Sequence, residues 1–216
     1  KHNEYRMKNI YGDYIWVLIR TATLRDKEGN PLKIVGVILD IDRAKKSEQQ
    51  LTTRASFDAL TELYNRETIE SQIDNEITLS EARKSEMAVL FIDVDDFKHY
   101  NDQYSHATGD QVLKFVARTI KGTVNEFGFA GRYGGDEFIA CIRNAEINDP
   151  TRAAQDIISK LEEGFECDGV HLTVSVSIGI SMIKDDYNTR VEYIIGKADD
   201  AMYSVKKNGK SNYAFI

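Results

Sequence analysis

Hydrophobic and polar positions change rhythm twice along the chain, and each change marks a different kind of structure. Between residues 4 and 42 the runs "EYRMKNI", "YIWVLIRTATLRD" and "LKIVGVILDI" are rich in β-branched and aromatic residues. The breaks "YGD" and "KEGNP" between them carry the Gly, Asp and Pro that turns require. Three antiparallel strands are predicted. So thin a sheet leaves an apolar face uncovered, and it is expected to complete an upstream segment or to pack on a partner. From Ile41 to Thr53 the chain becomes charged and free of Gly and Pro, and Ile41, Ala44, Leu51 and Ala55 fall near a seven-residue seam that Glu48 interrupts. A connecting helix is predicted, either paired with its copy in a second chain or standing as a solvated linker.

Beyond "FDALTELYNR", Ile69, Ile73 and Ile77 recur at four-residue steps behind Asn65, a side chain suited to an N-cap. Strands and helices then alternate. "MAVLFIDV" reads as a strand, "GDQVLKFVARTIKG" as a helix with Val112, Leu113, Val116 and Ile120 on one side, and "FGFAGRY" with "FIACIR" as a hairpin. "TRAAQDIISKLEEG" reads as a helix, "VHLTVSVSIGIS" as a strand and "TRVEYIIGKADDAMYSVKKNG" as a helix ended by Gly209. The order β-α-β-β-α-β-α predicts an α/β sandwich with helices over a mixed sheet.

Composition narrows the partners. The 216 residues suffice for one large domain, or for one of about 150 with an appendage. A net charge of −7 argues against an extended nucleic-acid partner, yet leaves open a small polyanion held by a metal and a few lysines. No apolar run is long enough to cross a bilayer and "KHNEYRMKNI" has no signal-peptide core. Cys141 and Cys167 lack metal-ligand spacing, and free thiols fit a reducing compartment. A cytoplasmic location is expected, with anchoring upstream left open.

The predicted topology concentrates negative charge. A helix between the first strand of the sandwich and the second makes them parallel, so the hairpin turn after the second lies at the edge where the first ends. That first strand ends in "FIDVDDF", and the turn is "RYGGDEF": Asp93 is expected beside Asp136 and Glu137. Gly134 and Gly135 fit a turn with positive φ or a backbone that something approaches closely. The carboxylates are either a solvated turn or ligands of Mg²⁺ or Mn²⁺, the hard cations used in phosphoryl and nucleotidyl transfer. "FKHYNDQYSHATGDQ" adds Lys98, which can meet phosphate as a point charge. It also adds Asn101 and Asp110, whose donors and acceptors suit a guanine edge. Taken singly, Asp110 reads equally as a first-turn helix acid, Asn101 as a turn residue, His106 as an ordinary histidine, and Lys206 with Lys210 as a solvated helix end.

Together, "FDALTELYNR", "DVDDFKHYND", "SHATGDQVL", "RYGGDEF", "VSIGIS" and "ADDAMYSVKKNGKSN" resemble, in order, the GGDEF family of diguanylate cyclases. The resemblance implies a palm-like fold and condensation of two GTP into cyclic di-GMP with loss of two pyrophosphates. By position it implies Asp93, the backbone carbonyl of Val94, Asp136 and Glu137 as ligands of Mg²⁺ or Mn²⁺, two ions per half-site. Glu137 is either a ligand only or also promotes 3′-OH deprotonation. Lys98 is assigned to the charge developing on phosphate, Lys206 and Lys210 to the triphosphate tail, Asn101 and Asp110 to guanine, and His106 to the wall of that pocket. A homodimer is required for catalysis, and an inactive module that binds GTP or cyclic di-GMP is the alternative. Residues 1–42 resemble the closing half of a PAS domain, 43–56 a signalling helix, and 57–216 the GGDEF domain. The implied partners are GTP, a second copy and an upstream sensory domain, with neither nucleic acid nor direct membrane contact.

Four positions depart from the family pattern. Glu62 stands where Gly is frequent, Ser105 precedes His106 where Gly is usual, and Lys210 stands where Arg is favoured, keeping the charge without the fork. Many members carry Arg-x-x-Asp before the signature as a product-binding inhibitory site, and here that window is "NEFG", Asn125 to Gly128.

Overall fold

The computed structural model describes residues 2–46, 56–184 and 188–216. The chain divides into two compact units, Lys1–Ala55 and Ser56–Ile216. No helix among the described residues is long and apolar enough to cross a membrane.

The first unit is the predicted antiparallel sheet, β1 (His2–Lys8), β2 (Tyr14–Arg25) and β3 (Pro31–Asp40), in that order. Its turns follow from local chemistry. Asp26 Oδ1 accepts from the backbone N–H groups of Glu28 and Asn30 while Gly29 takes φ +88, a conformation that carries no penalty for glycine. Val17 is the one buried hydrophobic residue among the described residues of this unit; Leu32, Ile34, Val37 and Ile38 on β3 are exposed. Residues 42–46 are helical. The remainder of the predicted linker helix, with Glu48, Leu51 and Ala55 of the seam, lies outside the described residues.

The second unit has a five-stranded mixed sheet. Its elements are α1 (Arg66–Arg83), β4 (Met87–Val94), α2 (Phe97–Gln103), α3 (His106–Val124), β5 (Gly128–Arg132) and β6 (Glu137–Arg143). There follow α4 (Pro150–Glu163), a short hairpin of β7 (Phe165–Cys167) and β8 (Val170–Leu172), β9 (Val176–Ile183), α5 (Val191–Lys207) and β10 (Asn212–Phe215). The strand order is β10-β9-β4-β6-β5, with only the β10–β9 pair parallel. Because β4 and β5 each run antiparallel to β6, they point the same way, and the β5–β6 turn meets the end of β4.

All eight residues of β4 are buried, as its unbroken apolar run predicts for a central strand covered on both faces. Ala88, Leu90 and Ile92 face one core with Val112, Leu113, Val116 and Ile120 of α3 and Ile157 and Leu161 of α4. Met87, Val89 and Phe91 face the other, with Ile69, Ile73 and Ile77 of α1 and Ile194, Ala198 and Met202 of α5. Each such aliphatic side chain contributes roughly 1.5–3 kcal/mol by leaving water. A central strand buried on both faces therefore holds Asp93 near its end. "VHLTVSVSIGIS", predicted as one strand, is divided between β8 and β9.

Candidate active site

Two stretches meet where β4 ends, the signature hairpin and the end of α5 with the loop after it, while α2 and the start of α3 follow β4 along the chain. Asp93, 5% exposed, pairs across the sheet with Glu137 on β6 and with Ser177 on β9. The Val94 N–H donates to the Asp136 carbonyl at 3.2 Å, which ties the turn to the strand end. Burial pushes the Asp93 carboxyl up to about 6, helped by the negative charges of Asp136 and Glu137 and opposed by Lys206. The Lys206 ammonium lies 2.5 Å from Asp93 Oδ1 as a charge contact without hydrogen-bond alignment, so that buried oxygen has a cation beside it and no well-directed donor. Glu137 is raised too, by burial and then by Asp136 and Asp199, against Lys206 and Arg66.

The hairpin turn is held from below. The N–H groups of Tyr133 and Gly134 both donate to the Glu137 carbonyl. Arg132 donates to the Gly135 carbonyl through Nη2 at 2.7 Å, while its Nη1 reaches both oxygens of Asp58 at 3.2 Å. Asp58 also accepts from the Thr61 amide and hydroxyl, and Arg66 lies over the Tyr133 ring and donates to its hydroxyl. "FDALTELYNR" is thus the support of "RYGGDEF". Neither Gly134 nor Gly135 has positive φ, and close approach fits Gly134 alone: a Cβ there would sit 2.4 Å from Glu137 Oε2, whereas one on Gly135 would meet open space.

The stretch after β4 is α2 and the start of α3. Lys98 is exposed on α2 and makes no ion pair among the described residues. Asn101 is packed against α3, with its Oδ1 where a Cβ on Gly109 would fall, 2.2 Å away; Asp110 is the next residue. Ser105 is the N-cap of α3, accepting from the Thr108 N–H at 3.1 Å, so this departure from the family supplies a cap. His106 opens the helix and is exposed. Asp110 is exposed in the second turn, which removes its reading as a first-turn acid.

The other stretch at the strand end follows α5. Lys210 and Ser211 take φ +63 and +45, and Lys210 Nζ pairs with both oxygens of Asp96 at 2.7 and 2.8 Å. Both lysines expected at the triphosphate therefore rest on aspartates of "DVDDF". The carboxylates, Lys206 and Lys210 come together at the end of β4, and Asn101 meets the Gly109–Asp110 turn.

Sequence reasoning missed Asp199, Arg66 and the Asp58–Arg132 pair. Asp199 was within reach: it precedes Lys206 by seven residues, two turns of the same helix face. The Asp58–Arg132 pair has no local signal, since its partners lie 74 residues apart.

Among the described residues, no three acidic, imidazole or thiol side chains close on a common point as a metal cage. The donor set nonetheless fits Mg²⁺, which takes one or two carboxylates and completes its shell with water and substrate phosphate. Asp93 Oδ1, buried with an ammonium beside it, is the oxygen such an ion needs.

Comparison with known proteins agrees with this geometry. Residues 55–212 match the family model described as "Diguanylate cyclase, GGDEF domain". The chain is 34% identical over 178 residues to the signaling protein YkoW of Bacillus subtilis, covering 82% of this chain and 22% of that protein. It is 35% identical over 158 residues to the diguanylate cyclase DosC of Escherichia coli, covering 71% and 34%. The chain thus spans about a fifth to a third of the length of these relatives. The GGDEF domain of YfiN (TpbB) from Pseudomonas aeruginosa superposes with a TM-score of 0.69 at 32% identity, covering 74% of this chain and 93% of that one. A match over most of the chain, with the signature hairpin set beside the carboxyl end of β4, places this protein in the GGDEF family.

Proposed function

We propose that the protein is a diguanylate cyclase, joining two GTP into cyclic di-GMP with release of two pyrophosphates. The observation that carries the proposal is the meeting of Asp93, Glu137 and Lys206 at one strand end, with Asn101 of α2 packed against Gly109 of α3, the residue before Asp110. Asp93, the Val94 carbonyl, Asp136 and Glu137 would hold Mg²⁺ or Mn²⁺. Bound there, these ions would lower the pKa of the attacking 3′-hydroxyl and neutralise charge on the leaving pyrophosphate. Asp110 accepts from the ring N–H and exocyclic amine of guanine, Asn101 supplies the complementary donor and acceptor, and His106 lines the same pocket. Lys98 faces the charge that grows on the α-phosphate, and Lys206 and Lys210 exchange their aspartate partners for the triphosphate tail.

One chain carries one such site, so each 3′-hydroxyl reaches the other α-phosphate only when two chains face each other. Dimerisation is then part of catalysis, because it turns an encounter of two nucleotides into a positioned reaction. Residues 1–42 are proposed as the closing half of a PAS domain, and 43–56 as the signalling helix that sets the pairing of the two cyclase units.

The test is incubation with GTP, ATP and Mg²⁺ followed by chromatography. Cyclic di-GMP is expected from GTP alone, and Asp136→Ala should abolish it. GTP binding without turnover would overturn the proposal in favour of a signalling module, and a mixed GTP/ATP product in favour of another dinucleotide synthase.

A further inference from the structure

The two aspartates of "DVD" separate in function. Asp93 lies beside Lys206, whereas Asp95, 4% exposed, sits in a ring of neutral donors. Its Oδ2 accepts from the Ser175 hydroxyl and from the Ser211 N–H at 3.2 Å, and its Oδ1 accepts from the Ser177 hydroxyl at 2.7 Å. Its own N–H donates to the Ser175 carbonyl at 2.9 Å. No Lys, Arg or His among the described residues forms an ion pair with it. A buried carboxylate without a counter-ion is costly unless its lone pairs are used, and here both oxygens are used.

What those bonds hold is the Lys210 loop. Lys210 and Ser211 are consecutive non-glycine residues in the left-handed region, a conformation that persists only where the surroundings over-determine it. Four contacts do so: the Lys210 N–H to the Val205 carbonyl, Lys210 Nζ to Asp96, the Ser211 hydroxyl to Glu162, and the Ser211 N–H to Asp95. Of these, only the last comes from a buried side chain on the segment that also carries Asp93. With the Asp96 pair, which comes from the exposed side chain next along, it ties the loop to the metal-ligand end of β4 as well as to α4 and α5, and it does so through the loop backbone.

We infer that Asp95 is a positioning residue, setting the Lys210 loop so that its ammonium meets the polyphosphate of a nucleotide whose base is held elsewhere. This rests on the diguanylate cyclase reading. Its consequence is selective: loss of Asp95 should weaken recognition of the triphosphate and leave recognition of guanine, which is assigned to Asn101 and Asp110, in place.

The test is equilibrium binding to the 216-residue chain with Mg²⁺, using 3′-deoxy-GTP, which lacks the attacking hydroxyl, and GMP. Asp95→Ala should weaken 3′-deoxy-GTP about tenfold, the loss expected for one misplaced charge-assisted contact, and GMP less than twofold. Asp95→Asn, which keeps the shape and one acceptor oxygen, should show the same selectivity at about threefold, and it carries the test if the alanine variant does not fold. In a Lys210→Ala background either substitution should add nothing further, because both then act through a missing ammonium. Equal weakening of both ligands, no weakening, or full additivity with Lys210→Ala would overturn the inference. A wild-type chain that binds both ligands equally would overturn the triphosphate reading itself, a failure visible before any variant is made.

Discussion

Asp58 shows how one part-buried carboxylate far from the reacting groups can govern them. It accepts from the Thr61 amide and hydroxyl and from Arg132, whose other nitrogens hold the Gly135 carbonyl in the signature turn. Burial pushes its carboxyl up, but the Thr61 donors and the Arg132 guanidinium outweigh that and leave it below the usual range. Asp58→Asn should cost about 1–3 kcal/mol at pH 7, the loss expected when a part-buried charged hydrogen-bond set is broken. Since the folded-state pKa lies below the unfolded value of about 3.9, the contribution is complete above that value and disappears as pH falls through the folded one. The gap between urea melts of wild type and variant should therefore be constant above about pH 4 and narrow as pH falls below it. A gap that does not narrow below about pH 4 would exclude this role. Glu62, three residues before Asn65, makes the opposite case. It holds φ +58 where glycine carries no penalty, and its exposed side chain makes no hydrogen bond or ion pair among the described residues to offset the strain. Glu62→Gly relieves about 1–2 kcal/mol of backbone strain and returns about 0.4–1 through the looser unfolded chain. Thermal denaturation should register a net gain of up to about 1.6 kcal/mol.

At the scale of elements, the signature turn uses its two glycines differently. A Cβ on Gly134 collides with the far end of the Glu137 side chain, which can swing away, whereas a Cβ on Gly135 meets nothing. Gly134→Ala should leave stability within about 1 kcal/mol while lowering turnover at least about tenfold, because a displaced Glu137 no longer lies beside Asp93. Gly135→Ala should keep most of both. Equal effects of the two substitutions on turnover would mean that Glu137 does not depend on that space. The long elements were legible because their periods are strong: Ile69, Ile73 and Ile77 at helical spacing, and an unbroken apolar run in β4. The meeting of Asp93 with Glu137 was legible because chain order and strand direction alone bring the hairpin to that edge. The β7–β8 hairpin and β10 were not, since three or four residues are too few to show a period. Nor were the resting partners of Lys206 and Lys210 legible, because ion pairs spanning more than a hundred residues leave no pattern in either local stretch.

At the scale of the whole molecule, what the fold leaves out bears on regulation. The window that in many relatives carries an arginine and an aspartate for product is here Asn125, which caps the end of α3, to Gly128, which opens β5. A groove there is lined by Phe57, Glu62, Lys121, Asn125, Gly128 and Arg143, among others. Its arginine is already committed: Arg143 Nε donates to the buried Glu76 carboxylate at 3.0 Å and the guanidinium lies over the Phe129 ring. At Gly128 the obstacle is steric, because a Cβ would fall 2.1 Å from the backbone oxygen of Cys141 on the neighbouring strand. An aspartate cannot be accommodated there without moving β5 away from β6, and neither the charge pair nor the room for it is present. Turnover should therefore proceed without product inhibition through this face. Initial rates at rising concentrations of added cyclic di-GMP should stay constant, apart from competition at the GTP site that excess GTP removes. Gly128→Asp should lose about 1–3 kcal/mol of stability, as overpacking against a backbone oxygen does, without creating a brake. Inhibition that excess GTP does not relieve, and that is lost when Asn125 and Glu126 are changed, would sink the prediction and assign the groove a ligand.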